Sequence, residues 1–142
     1  MSAPSYLPQV LVVDDDPDEL FFVKRNFATA GVENPVLTFD DGDAVLAFLT
    51  ELCAQTALSE TSIPCLLVLD IKMPGVDGFT VLKWVRQQKA LTELRILMHS
   101  TSDAPQDMTL AHELGADGFI RKPVSSEKWL QVIQESKCVV QA

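Results

Sequence analysis

Three consecutive aspartates, Asp14, Asp15 and Asp16, follow the apolar run VLVV, and a fourth, Asp70, follows LLVL. Ser100 stands after RILMH and Lys122 after GFIR. Carboxylates, a hydroxyl and an ammonium in such places can hold a hard cation and handle a phosphoryl group. Mg2+ prefers oxygen ligands, keeps several waters and needs only one or two carboxylates besides a phosphate. A carboxylate can act as a covalent nucleophile, and phosphoryl transfer asks mainly for in-line positioning and cancellation of charge. Gathering Asp14, Asp15 and Asp70 without a cation would be costly, because like charges at close range oppose ionisation. Asp16 reads differently: with Pro17 behind it, it has the form of a helix N-cap, as does Asp41.

Such residues converge only if the apolar runs are neighbouring strands that end on one edge. Strand candidates are Val10 to Val13, Val36 to Phe39, Cys65 to Leu69, Arg95 to His99 and Gly118 to Arg121, most of them continuously apolar as strands buried on both faces should be. Helical periods alternate with them. They run from Asp16-Pro17 to near Gly31, from Gly42 to Leu52, from Asp77 or Gly78 to Gln88, from Pro105 to Leu114 and from Ser126 to Lys137. The inward residues are predicted as Leu20, Val23, Phe27 and Ala30 in the first helix; Phe79, Leu82 and Val85 in the third, with Val81 and Trp84 as a second stripe; and Leu130 and Ile133 in the fifth. Met108 and Leu110 flank an inner stripe on the fourth helix. The stretch from Cys53 to Pro64 reads as a solvated loop or frayed helix end. Strand and helix in alternation imply a parallel sheet covered by helices, and ligands bind such sheets outside the carboxyl ends of the strands.

The chain has 142 residues, a formal charge of -9 and 47% hydrophobic residues, which fits one domain over residues 1–142 with a core of about 9–137 and no output domain. Residues 1–45 hold nine acids and two bases, so most of the negative charge lies near the first strand. A bound cation is the natural partner; nucleic acid is not expected, since phosphate binding needs a basic face. No apolar run approaches the ~20 residues of a membrane span. Cys53, Cys65 and Cys138 have no CxxC spacing and read as reduced thiols of a cytoplasmic protein.

Four motifs in order, VVDDDP, LVLDIKMPGVDG, the hydroxyl of Ser100 and GADGFIRKP, resemble the receiver domain of two-component response regulators over about Gln9 to Lys137. The resemblance implies an α/β flavodoxin-like (βα)5 fold with a five-stranded parallel sheet of order 2-1-3-4-5 and helices on both faces. It implies that Asp70 accepts a phosphoryl group from a sensor histidine kinase or phosphotransfer protein, catalysing only its own phosphorylation and dephosphorylation. Mg2+ would be held by Asp15, Asp70 and the backbone carbonyl of Lys72, with Asp14 acting through a water. Lys122, before a cis Pro123, would meet the phosphate, and Ser100 would bond a phosphoryl oxygen while Phe119 turns inward to change the face of strands four and five and helices four and five. Lys72 and Ser102 stand where side chains can govern water access.

The TFDDGDAVLAFL segment, the long region before strand three and the HSTSD turn are similar to small receivers paired with bacterial phytochrome kinases. Phe22 falls outside the inner stripe of the first helix and is a candidate kinase contact; spare apolar residues on helix four allow a phosphorylation-dependent homodimer. His99 departs from the aliphatic residue usual before the receiver Ser/Thr and is expected to be packed and hydrogen-bonded. It is not expected to be a metal ligand, since no Cys or second His has matching spacing and His112 lies on the fourth helix, so neither histidine supports a zinc site. Two rival readings are a haloacid dehalogenase type phosphatase using Asp14 and Asp16, which Pro17 disfavours, and a receiver-like binding module that works without phosphorylation.

Overall fold

Period-two alternation along the strands divides the apolar residues between two layers. The computed structural model describes residues 7–55, 63–136 and 138–140. The strands are β1 (Val10–Val13), β2 (Val36–Phe39), β3 (Leu66–Leu69), β4 (Arg95–Ser100) and β5 (Gly118–Arg121). They form one parallel sheet in the order β2-β1-β3-β4-β5. Leu11, Val13, Leu67, Leu69, Ile96 and Met98 face one layer, whereas Val10, Val12, Leu66, Val68 and Leu97 face the other. Covering both faces demands helices on both, and α2 (Gly42–Gln55), α3 (Gly78–Arg86) and α4 (Pro105–Glu113) take the first layer while α1 (Pro17–Thr29) and α5 (Ser126–Glu135) take the second.

The helix starts follow the capping residues. Asp16 accepts from the Asp18 amide, Asp41 from Ala44, Asp77 from Thr80 and Ser125 from Lys128. Each such cap is worth about 1 kcal/mol. Gly31 and Gly115, at φ 82° and 101°, carry the chain past the ends of α1 and α4.

Two inward stripes differ from expectation. In α5 the buried residues are Trp129, Val132 and Ile133, and Leu130 is exposed. In α3 Val81 is fully buried and Phe79 only half so. Both helices bury an i, i+3, i+4, i+7 set, from Trp129 to Ser136 and from Gly78 to Val85, so the phase is fixed by a first residue that the sequence reading left out. Helix α2 extends three residues beyond Leu52, to Gln55. The rest of the Cys53 to Pro64 stretch falls mostly on residues 56–62, outside the described residues, as does Lys137, the expected end of the fifth helix.

At the amino-terminal edge of β4, Arg86 at the end of α3 donates to the carbonyls of Leu94 and Gly115 and to Asp117 at 2.9 Å. Asp117 in turn accepts the Ile96 amide at 2.8 Å. One guanidinium and one carboxylate therefore tie together α3, the start of β4 and the turn before β5.

Candidate functional site

The strands β1, β3 and β5 deliver their next residues, and β4 its last, to a single edge. The ladder carries on past β1 and β3, with the Asp14 amide bonded to the Phe39 carbonyl and the Asp70 amide to that of Val13. Past β5 the Lys122 amide donates to the Ser100 carbonyl at 2.8 Å. Asp14 and Asp70 are buried and Asp15 is exposed, and their carboxylate oxygens lie within 4.8 Å of one another. The Lys122 ammonium donates to Asp14 Oδ2 at 2.6 Å and stands 3.6 Å from Asp70 Oδ1. The Lys122-Pro123 peptide bond is cis, as the resemblance implied.

Electrostatics follow from this crowding. Burial and the Asp14 carboxylate push Asp70 up to about 6, with Asp15 adding to the shift and Lys122 opposing it. Burial works against the charge on Lys122, yet its hydrogen bond to Asp14 and the charges of Asp70, Asp14 and Glu19 hold it above the ordinary lysine value. One ammonium faces three carboxylates, so negative charge remains in excess. All donors are hard oxygens and part of the site is open to water through Asp15. That set suits Mg2+ and not a soft metal.

The approach of α3 frames the pocket. The Gly78 amide donates to the Ile71 carbonyl at 2.8 Å, and a Cβ at Gly78 would collide with the Asp70 carbonyl. Only glycine lets the start of α3 pass so close to the phosphoacceptor candidate. Ser100 is buried, and its Oγ accepts the Ser102 amide at 3.1 Å, leaving its own hydrogen free to donate. Ser102 donates to Asp107 Oδ2 at 2.6 Å, so Asp107 holds the loop after β4. Phe119 is half-buried against the α2, α3 and α4 layer. Lys72 is exposed on the loop after Asp70.

The remaining candidates separate. Asp16 caps α1, which removes it from the acidic set that a DxD phosphatase would need. Phe22 is exposed as expected, and Phe21 beside it is more so, the rings meeting edge to face at 5.8 Å. One feature escaped the sequence. Glu19, on the first turn of α1, is partly buried near Lys122 and Asp14, and burial raises its pKa. Its place five residues after Asp14, one turn past the cap, was the available signal. His99 is buried and packs edge-on against Trp129 at 5.3 Å as expected, but among the described residues no hydrogen bond reaches its ring, contrary to expectation. Burial and Lys122 lower its pKa to about 3, so the ring is neutral.

Comparison with known proteins agrees with this geometry. The response regulator receiver domain family matches residues 10–134. The chain is 36% identical over 117 residues to the alkaline phosphatase synthesis transcriptional regulatory protein PhoP of Bacillus subtilis, covering 82% of this chain and 43% of that protein. It is 31% identical over 124 residues to the DNA-binding dual master transcriptional regulator RpaA of Synechocystis, covering 87% and 46%. It thus spans less than half the length of either relative. The structure of Vibrio cholerae chemotaxis protein CheY4 superposes with a TM-score of 0.76 at 28% identity, over 92% of this chain and 98% of that one. The phosphorylated cyanobacterial phytochrome response regulator RcpA, at 23% identity and a TM-score of 0.72 over 91% and 90%, shares the fold. With that match, the sheet order and the acidic edge in hand, the chain belongs to the response regulator receiver domain family.

Proposed function

We propose that Asp70 accepts a phosphoryl group from a sensor histidine kinase or phosphotransfer protein, and that the chain works as a single receiver unit in the cytoplasm. The observation that carries this reading is the placement of Asp70 within 4.8 Å of two further carboxylates, with the Lys122 ammonium 3.6 Å away. An Asp70 oxygen attacks the phosphorus of a phosphohistidine, the P–N bond breaks and the imidazole leaves, giving an acyl phosphate on Asp70. Mg2+, when bound by Asp15, Asp70, the Lys72 carbonyl and water held by Asp14, would offset charge on the phosphoryl oxygens. The Lys122 ammonium stands 2.6 Å from Asp14 and 3.6 Å from Asp70, where it would meet the charge of a phosphoryl group on Asp70. Ser100 supplies a buried hydroxyl at the end of the neighbouring strand.

Phosphate at Asp70 draws Ser100, and Phe119 turns into the space released, which alters the exposed face of β4, α4, β5 and α5. Phe22 on α1 forms part of the kinase contact, and no nucleic acid is required. A pairing with a phytochrome kinase rests only on the sequence likeness of the segments named above.

Incubation with Mg2+ and a small phosphodonor, followed by intact mass measurement, should show one added phosphoryl group that is labile to acid and absent in Asp70→Asn. An unmodified mass for the unaltered chain would reject the phosphoacceptor reading and leave a receiver-like module acting by contact alone.

A further inference from the structure

We propose that Asp14, Glu19 and His99 form a second cation site, for a borderline transition ion of the Zn2+ class, lying behind the Mg2+ pocket and competing with it for Asp14. One ligand atom from each residue lies within 4.8 Å of the others. His99 and Glu19 line a cavity of 200 Å3 between α1 and the start of α5, walled by Phe22, Val23, Pro123 and Trp129.

His99 supplies an observation independent of the acidic pair. It is 2% exposed, and among the described residues its ring packs edge-on against Trp129 with no hydrogen bond to either nitrogen. A buried polar side chain without a partner is uncommon and calls for a ligand or a compensating role. Among the described residues no side-chain nitrogen or oxygen is both fully enclosed and unpaired, and His99 lines the cavity that Glu19 shares, so its imidazole is within reach of that space.

The donor set separates the two ions. Mg2+ favours an all-oxygen shell, whereas Zn2+ takes imidazole nitrogen with carboxylate oxygen and accepts three protein ligands with a water in the fourth place. The neutral ring of His99 is the form that binds a metal. The cavity has room for that water.

Lys122 links the sites. Its ammonium holds Asp14 Oδ2 at 2.6 Å, and an ion taking that oxygen drives the ammonium toward Asp70, 3.6 Å away. Asp14 cannot then serve both ions. Zn2+ therefore opposes Mg2+ binding and, on the phosphoacceptor reading above, slows phosphorylation of Asp70.

Zn2+ binding to the whole chain, measured by equilibrium dialysis without added Mg2+ or any phosphodonor, tests the site apart from the phosphorylation chemistry. One Zn2+ per chain should bind, with affinity reduced about tenfold or more in His99→Leu and in Glu19→Gln and retained in Asp70→Asn. Thermal unfolding of each variant checks the fold, and Glu19→Gln, on the half-exposed side, covers the case in which a change at His99 disturbs packing. Absence of binding, or binding lost in Asp70→Asn and indifferent to His99→Leu and Glu19→Gln, would overturn the proposal; the second result would place the ion in the Mg2+ pocket.

Discussion

A carboxylate whose proton is held to about pH 6 couples metal binding and stability to acidity in opposite senses. Mg2+ needs Asp70 ionised, so its affinity should fall by about tenfold per unit as pH drops below about 6, an effect calorimetric titration would read. For the metal-free fold the sign reverses. The folded-state value is raised above the unfolded one, so the contribution of Asp70 is most favourable below pH 3.8 and is lost as pH rises through about 6. Asp70→Asn should therefore be more stable than the unaltered chain at neutral pH in a chelator, by about 1–2 kcal/mol once solvent screening is allowed for, and the gain should vanish in acid. Equal unfolding temperatures at pH 7 would contradict this. Gly78 sets a second constraint, because Gly78→Ala would push a methyl into the Asp70 carbonyl. Urea unfolding should show a loss of about 1–3 kcal/mol, and phosphorylation by a small donor should slow with it. Asp14, Asp15, Asp70 and Lys122 were legible from sequence because each stands at or just past the end of an apolar run. Glu19 was not, since its contact with the site comes from the turn of α1 back over the sheet edge, a relation no linear spacing displays.

Helix α1 presents Phe21 and Phe22 to solvent while Val23 and Phe27 pack inward. Phe22→Ala should reduce the rate of transfer from the cognate kinase by about tenfold and leave phosphorylation by a small donor unchanged, since its ring lines the cavity mouth and makes no contact with Asp70. Equal kinase rates would remove α1 from the docking surface. The elements themselves were largely readable, because strands buried on both faces become continuous apolar runs and the caps Asp16 and Asp41 mark where helices begin. Helix phase was harder. An apolar residue 100° off the buried stripe, as Leu130 is beside Trp129, has the same composition signal as an inward one, and only packing against the sheet and α1 decides between them.

At the scale of the molecule, exposed Met108 and Leu110 on α4 adjoin the strand that carries Phe119. If Phe119 withdraws when Asp70 is phosphorylated, the sedimentation coefficient should rise toward that of a dimer at micromolar chain concentrations, and Leu110→Glu should abolish the rise without altering the added mass. A coefficient unchanged by phosphorylation would leave this face to a different partner. The order of strands explains why chemistry and surface can communicate at all: β4 and β5 are adjacent, pair Met98 with Phe119 and end beside Ser100 and Lys122. The Arg86 and Asp117 junction lies at the opposite end of the same two strands. With that end pinned by four hydrogen bonds, a shift of Ser100 cannot slide β4 bodily along its neighbours. The strand must instead bend like a cantilever, with its largest excursion at the phosphate and its smallest at the root, so the signal is delivered as a change of angle confined to one rim of the sheet.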